Sequence, residues 1–289
     1  MGINAEQSRV RNWKLTLAYD GTDYHGWQVQ PDRLTIQGEL VNAIERVTGE
    51  RVLAQGSGRT DAGVHAEGQV ASVFLDAPIP PENLQRALNR TLPEAIRVLQ
   101  AELAAPEFHA RHSVVAKTYE YRIARGEICP PFLSRFAWAL NWPLDVARMQ
   151  AAARVVIGTH DFTSFAATDP DLATRRNVDD GPEEGGEDND GPGGALERDG
   201  ERAAERDGNV RTVFESAWSS DDDLLRYRVR GNGFLHHMVR NLVGTFIDVG
   251  RGHVGSEDVA EILAARSRSA AGATAPARGL FLIGVEYPD

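Results

Sequence analysis

GSGRTDAGVHA, residues 56–66, lies between two predicted strands. The other predicted strands and helices of the first half follow on both sides of it, so this stretch is the starting point for predicting the fold. Three glycines and several small residues surround Arg59 and Asp61. Glycine permits left-handed or tight turns and lets another molecule approach the backbone closely. The stretch therefore predicts a loop that either presents Asp61 to a ligand or is an ordinary turn, in which the carboxylate accepts a hydrogen bond from a nearby backbone N–H.

The first half of the chain alternates strands and helices around this loop. In chain order the predicted elements are a strand at 13–20, a helix at 35–49, strands at Arg51 to Gln55 and Gln69 to Leu75, a helix from about Pro81 to Thr91, and a strand at 96–103. Thr35 is the predicted N-cap of the first helix, and Gly49 ends it. The order βαββαβ is that of a ferredoxin-like unit.

The second half repeats this order without repeating the sequence. Its predicted elements are a strand at 114–125, a helix at 144–158, strands at 210–218 and 224–231, helices at 234–250 and 256–267, and a strand at 279–288. We expect an α+β fold in which two ferredoxin-like (βαββαβ) halves, 1–110 and 111–289, join into one extended, mostly antiparallel sheet. The helices then lie on one side of the sheet, with a central cleft between the halves.

Composition excludes several classes of protein. Hydrophobic residues make up 42% and charged residues 25% of 289 residues, which is typical of a globular protein. No apolar run spans a bilayer and no hydrophobic signal core is found, so we expect a cytoplasmic protein without membrane contact. The single cysteine, Cys129, excludes an intramolecular disulfide, and the eight histidines show no metal-binding spacing, so we expect no metal site.

Charge is unevenly distributed along the chain. Residues 178–208 carry twelve acidic and three basic side chains, so they account for −9 of the formal net charge of −11. Their Gly, Pro, Asp and Glu content predicts a disordered acidic insertion in the second half. The remaining body is nearly neutral, and it can bind a polyanion if its arginines gather on one face. Only two of the 31 basic residues are lysines, Lys14 and Lys117.

Two further segments carry candidate functional residues. Tyr119 and Tyr121 share one face of the strand containing KTYEYRI, where core packing competes with stacking on an RNA base. After GNGF, His236 and Arg240 are one helical turn apart, on a face that is either solvated or directed into the cleft.

Five motifs taken together resemble the tRNA pseudouridine synthase A family. They are YDGTDYHGWQ, GSGRTDAGVHA, KTYEYRI, GNGFLHHMVRNLVGT and RGLFLIGVEYP, and they follow the family's order over nearly the whole chain. The acidic insertion departs from the family pattern but touches none of the motifs. The resemblance implies isomerisation of uridine to pseudouridine at tRNA positions thirty-eight to forty, in the anticodon stem-loop. It also implies an RNA-binding cleft, no cofactor, and a homodimer.

The same resemblance assigns roles to four residues. Asp61 matches the essential aspartate, which either attacks ribose C1′ as a nucleophile or removes the C2′ proton as a base, and the sequence leaves both routes open. Tyr119 matches the tyrosine that packs on the target base and assists proton removal at C5. Arg59 is expected to hold the flipped nucleotide, and Arg240 to pair with the aspartate.

Two other functions remain open at the level of sequence. A non-catalytic RNA-binding protein would use the same sheet and aromatic residues, with Asp61 as a turn residue, and an unrelated hydrolase would use a loop aspartate. The acidic composition and the arginine usage also predict an archaeal or halophilic member of the family, although a GC-rich genome replaces lysine by arginine as well.

Overall fold

The computed structural model describes residues 10–167 and 208–288. Within this part the chain forms one sheet of ten strands and six α-helices, so the expected α+β class is confirmed. The elements are β1 (Arg11–Tyr19), α1 (Ile36–Thr48), β2 (Gln55–Gly56), β3 (His65–Leu75), α2 (Pro81–Thr91), β4 (Ile96–Leu103), β5 (Ala116–Ala124), α3 (Pro131–Ser134), β6 (Trp138–Ala139), α4 (Val146–Val155), β7 (Gly158–Asp161), β8 (Val210–Asp221), β9 (Leu224–Gly231), α5 (Met238–Gly250), α6 (Asp258–Ala265) and β10 (Leu280–Glu286). The predicted acidic insertion, apart from Gly208, lies outside the described residues.

The strand order shows how the two ferredoxin-like arrangements join. The sheet runs β4-β1-β3-β10-β5-β9-β8-β7, with β2 paired to β3 and β6 paired to β5. Neighbours are antiparallel except at β3–β10 and β5–β6. β10 connects the two arrangements, because Phe281 and Leu282 pair with His65 and Ala66 of β3 while its other edge pairs with β5. The boundary of the halves at residue 110 stays a prediction.

Local sequence signals explain the helices of the first half. The Thr35 side chain accepts a hydrogen bond from the Gly38 N–H at the start of α1, and Gly49 ends the helix at φ 80°, where glycine is favoured. Proline at the first position begins α2, where its missing N–H costs nothing. Both helices and β4 occupy the ranges predicted from the sequence.

The strand predicted at Arg51 to Gln55 is wrong. Only Gln55 belongs to a strand, because β2 is two residues long and pairs with the middle of β3. The backbone before it turns towards α1, where the Ala54 carbonyl accepts a hydrogen bond of 2.7 Å from the Gln37 side chain. β3 in turn begins at His65, earlier than predicted, because β10 pairs with its first residues.

The two faces of the sheet differ in chemistry. On the helix-covered face Trp13, Leu15 and Leu17 of β1 are fully buried, and Tyr121 and Tyr227 continue the same core in the second half. We call the opposite side the outer face. Its charged residues include Glu67, Glu120, Arg122, Arg226 and Arg230. No helix in the described ranges is long and apolar enough to cross a membrane.

Candidate active site

A cleft of about 1080 Å³ opens on the helix-covered face at the centre of the sheet. Tyr119 of β5 and Leu280 of β10 line it from the sheet. The loop at 55–61 borders it on the side of the first half, and the segment at 233–239, which leads into α5, borders it on the side of the second half. The cleft therefore lies where the two ferredoxin-like arrangements meet.

Close approach explains the glycines of the loop. A Cβ on Gly56 would lie 2.5 Å from the Trp27 ring, and one on Gly58 would lie 2.7 Å from Lys117 Nζ. Gly63 has φ 76°, a conformation that other residues rarely adopt. The loop is thus packed against the Trp27 ring at Gly56 and against the end of the Lys117 side chain at Gly58, and its turn at Gly63 favours glycine.

Buried hydrogen bonds hold the backbone of this loop in place. The Gln69 side chain donates to the Gly58 carbonyl at 2.9 Å and accepts from the Ser57 hydroxyl at 2.6 Å. The hydroxyl groups of Tyr19 and Thr60 are 2.8 Å apart. Gln69 is fully buried, so these contacts are shielded from water and hold the residues that precede Asp61.

Three side chains from the second half surround the Asp61 carboxylate. Arg240 donates from one terminal nitrogen to Oδ2 at 3.1 Å, and its Nε donates to the Ala275 carbonyl at 2.7 Å. His237 Nε2 is 3.2 Å from Oδ2, and His236 Nε2 is 3.5 Å from Oδ1. In the described structure the carboxylate contacts these side chains rather than a turn N–H, which argues against the interpretation of Asp61 as a simple turn residue.

The histidines lie before the helix rather than on it. The predicted helix at 234–250 begins only at Met238, because His237 has the left-handed φ of 59°. The expectation that His236 and Arg240 are one helical turn apart is therefore wrong, yet both reach Asp61. Burial lowers the pKa of His237, while Asp61 raises it in part, so the neutral imidazole is favoured near neutral pH.

The other predicted site residues also have defined positions. Tyr119 is 8% exposed and packs edge-on against Phe234, with ring centroids 5.1 Å apart. Burial raises the pKa of Tyr119, so its hydroxyl stays protonated. Tyr121 is fully buried and donates to the Pro276 carbonyl, so core packing accounts for it. Arg59 is half-buried and lines the cleft two residues from Asp61.

The lining of the cleft is strongly basic. Asp61 is the one acidic side chain among the described residues that line it. The lysine and arginine side chains in the lining are Arg59, Arg111, Lys117, Arg211 and Arg268. A chain with a formal net charge of −11 therefore concentrates positive charge around a single carboxylate. Such a cleft attracts a polyanion and brings it to Asp61.

Asp61, His236 and His237 lie close enough together to hold a metal ion. One ligand atom from each of Asp61, His236 and His237 lies within 4.8 Å of the others. The Arg240 guanidinium, however, is 3.1 Å from the same carboxylate, and a fixed positive charge there opposes binding of a cation. The expectation of no metal site stays a prediction.

Comparison with known proteins identifies the family. A family model described as tRNA pseudouridine synthase matches residues 16–113 and 199–288. These ranges include Asp61 and Arg240, and they include strands β9 and β10 on either side of the strand that carries Tyr119. The chain belongs to this family. A tRNA pseudouridine synthase A from Solibacter usitatus is 46% identical over 278 residues, covering 96% of this chain and 100% of the relative. The corresponding proteins of Moorella thermoacetica and Thermoanaerobacter sp. are 42% and 36% identical, over 95% and 96% of this chain and 98% and 100% of their own lengths.

Sequence reasoning missed one part of this tRNA pseudouridine synthase site. His237 was not singled out, and His236 was considered only beside Arg240 on a helix. The spacing of the histidines in the sequence brings no carboxylate pattern that resembles a known metal site. The carboxylate is Asp61, more than 170 positions away in the chain. The signal that could have found the pair is its place in the motif GNGFLHHMVRNLVGT, together with Arg240.

Proposed function

We propose that this tRNA pseudouridine synthase isomerises uridine to pseudouridine at positions thirty-eight to forty of the anticodon stem-loop, with Asp61 as the initiating group. The observation that carries the proposal is the single carboxylate in a basic cleft, paired with Arg240. The reaction breaks the bond from uracil N1 to ribose C1′ and joins C5 to C1′. It has no redox change and no net water, so its chemistry requires no cofactor.

The contacts of Asp61 fit an ionised initiating group. The Arg240 guanidinium pairs with the carboxylate at 3.1 Å, and either attack on C1′ or removal of the C2′ proton requires a carboxylate. The two histidines add hydrogen-bonding groups on the same side. Because the carboxylate is about one-fifth exposed, it remains accessible from the cleft while its partners hold its orientation.

Tyr119 and Arg59 are proposed to hold the target nucleotide. Tyr119 offers a ring in the cleft for the uracil to pack on, and its protonated hydroxyl supplies a hydrogen bond during loss of the C5 proton. Arg59 precedes Asp61 on the same loop and faces the same cleft. A base from the stem must leave its stack to reach Asp61, which costs a few kcal/mol, and the basic lining offsets this through phosphate contacts.

Release of tritium tests this proposal directly. Transcribed tRNA carrying tritium at uracil C5 should lose it to water when the protein is added, and sequencing for pseudouridine should find the change at positions thirty-eight to forty. A protein that only binds RNA would release no tritium. A hydrolase would release free uracil, so either result would reject the proposed function.

We also propose a cytoplasmic homodimer, since tRNA is a cytoplasmic substrate and one tRNA can contact both subunits. Ile128 and Phe132, before and within α3, are 82% and 93% exposed, and neighbouring exposed apolar side chains often mark an interface. Light scattering coupled to gel filtration should give twice the mass of one chain. Phe132→Ser should shift the protein towards the monomer if this patch is the contact.

A further inference from the structure

Lys117 occupies an unusual position in the cleft. Its ammonium donates one hydrogen bond, of 2.6 Å, to the Ser57 carbonyl in the loop that carries Asp61. An ammonium has three N–H donors. Across residues 10–167 and 208–288 no other acceptor and no carboxylate partner is found for it, and the side chain lines the cleft, so two donors remain for a ligand bound there. The only other lysine, Lys14, is paired with Glu102 at 2.9 Å.

The neighbours of Lys117 are also positively charged. Arg111 and Arg211 line the same cleft, and Arg211 donates to the Gly208 and Val210 carbonyls at 3.0 and 2.6 Å. Burial, and then the charges of these two arginines, lower the pKa of Lys117 to about 8. A half-buried ammonium beside like charges is unfavourable in the free protein, and a bound anion would reverse that penalty.

We propose that Lys117, Arg111 and Arg211 bind a phosphate group of the RNA backbone beside the nucleotide that enters the active site. A phosphodiester offers two unesterified oxygens, which suit the two remaining ammonium donors and a guanidinium. The identification of the phosphate as part of RNA rests on the proposed function. The Lys117 ammonium also donates to the Ser57 carbonyl in the loop before Asp61. A phosphate bound by this ammonium is therefore connected to that loop through Lys117.

The presence of only two lysines makes the site directly measurable. An amine-selective acylating reagent modifies uncharged amines, so the pH dependence of modification reports the pKa of each lysine, and mass spectrometry separates Lys117, Lys14 and the N-terminus. In the free protein Lys117 should show a midpoint near pH 8. Saturating anticodon stem-loop RNA should slow its modification at pH 8 at least fivefold and raise its midpoint, since an anion favours the charged form. Lys14 should not change.

A parallel sample with inorganic phosphate distinguishes the source of the phosphate. Millimolar phosphate without RNA should protect Lys117 less than micromolar RNA does. Protection by millimolar phosphate that equals or exceeds protection by micromolar RNA would assign the site to free phosphate and overturn the RNA assignment. Unchanged reactivity of Lys117 in a sample where RNA binding is verified by fluorescence anisotropy would overturn the site altogether.

Variants test the same site by a second measurement. Arg211→Gln and Lys117→Met should each weaken RNA binding and reduce the slope of log K against log salt by about 0.7–0.9, the value for one lost phosphate contact. KM should rise more than kcat falls for Arg211→Gln, which leaves the bond to Ser57 intact. Lys14→Met is the matched control and should leave binding and slope unchanged. Unchanged slopes in both cleft variants would reject the proposal.

These results separate the inference from the proposed function. If wild-type protein forms pseudouridine and binds RNA while Lys117 reactivity and the salt slopes stay unchanged, only the phosphate site is wrong. If wild-type protein neither binds the stem-loop nor releases tritium, the proposed function itself fails. Circular dichroism of each variant should show the wild-type spectrum, so that loss of folding is excluded as the cause.

Discussion

The two faces of the central sheet differ in how many carboxylates accompany their positively charged side chains. On the outer face Arg122 contacts Glu67 and Glu120 at 2.6 and 2.7 Å, and Arg230 contacts Glu286 at 2.6 Å. In the cleft, five lysine and arginine side chains line a space with one described carboxylate, that of Asp61. Strand β5 contributes to both environments, with Glu120 and Arg122 on the outer face and Lys117 and Tyr119 in the cleft.

This difference indicates where RNA binds. Many ferredoxin-like RNA-binding domains stack bases on the open face of their sheet. Here Phe281 on that face is covered by the Arg122 guanidinium 3.8 Å from its centroid and stacks on His65, and the Arg230 guanidinium lies 5.0 Å from the centroid of the Phe214 ring. On the outer face Arg122, Arg226 and Arg230 are thus paired with carboxylates, whereas the cleft has one described carboxylate among five lysine and arginine side chains and is the better site for a polyanion.

The largest expected effect comes from the single carboxylate of the cleft. Asp61→Asn should reduce tritium release at least about a thousandfold, because the amide neither attacks C1′ nor accepts a proton, while tRNA binding persists. Glu120→Gln, on the outer face, is the control and should keep near wild-type turnover. If the Asn variant retained a tenth of wild-type turnover, Asp61 would not be the initiating group.

Variants of two arginines, Arg240 beside Asp61 and Arg230 on the outer face, test whether the two faces differ in function. Arg240→Gln should lower turnover about a hundredfold, because it removes the guanidinium that holds Asp61 and binds the Ala275 carbonyl. Arg230→Gln breaks an exposed pair with Glu286 and should change turnover less than about twofold. Steady-state kinetics on tRNA would measure both. Similar losses in the two variants would show that the faces do not differ in function.

The helix-covered face has one tyrosine in the cleft, Tyr119, and one in the core, Tyr227, and variants of the two compare these regions. Tyr119→Phe should lower kcat about tenfold with little change in KM, since the ring remains and only the hydroxyl is lost. Tyr227→Phe removes a hydroxyl 2.8 Å from that of Ser216 and should lower stability by about 1 kcal/mol without changing kcat. An unchanged kcat in Tyr119→Phe would leave that residue a packing role alone.

Salt should act on the whole protein and on the cleft in opposite directions. Rising KCl should increase the melting temperature by a few degrees, because it screens self-repulsion at a formal net charge of −11. The same salt should weaken tRNA binding at the basic cleft. Thermal melts and binding titrations in one KCl series would show both. A flat or falling melting temperature would reject the halophilic prediction and favour a GC-rich genome as the reason for the arginine usage.

Elements with local signals could be predicted from the sequence, and elements defined by distant partners could not. α1 follows from the cap at Thr35 and the stop at Gly49, and α2 from its first proline. The segment 51–54 resembles a strand in composition, but its course is determined by the bond from Gln37 to the Ala54 carbonyl. The short strands β6 and β7 and helix α3 were not predicted, since segments of two to four residues carry too little pattern.

The site shows the same limit. Arg59 and Asp61 stand out locally among glycines, and the family resemblance pointed to Tyr119 and Arg240, although their roles stay predictions. The left-handed backbone of His237 directs its ring to Asp61, and nothing in the residue type indicates that conformation. Nor does the sequence reveal that Gly58 leaves space for Lys117 Nζ, because that contact joins a loop of the first half to a strand of the second.

The position of β10 has a consequence for how the protein is made. Of the ten strands, it is the last to leave the ribosome, yet it fills the gap between β3 and β5 and contributes Leu280 to the cleft. Until residue 280 emerges, a nascent chain carries unpaired strand edges at the centre of its future sheet, which are the usual sites of misassociation. A chain interrupted before β10 therefore lacks both the strand that joins the two halves of the sheet and the cleft residue Leu280.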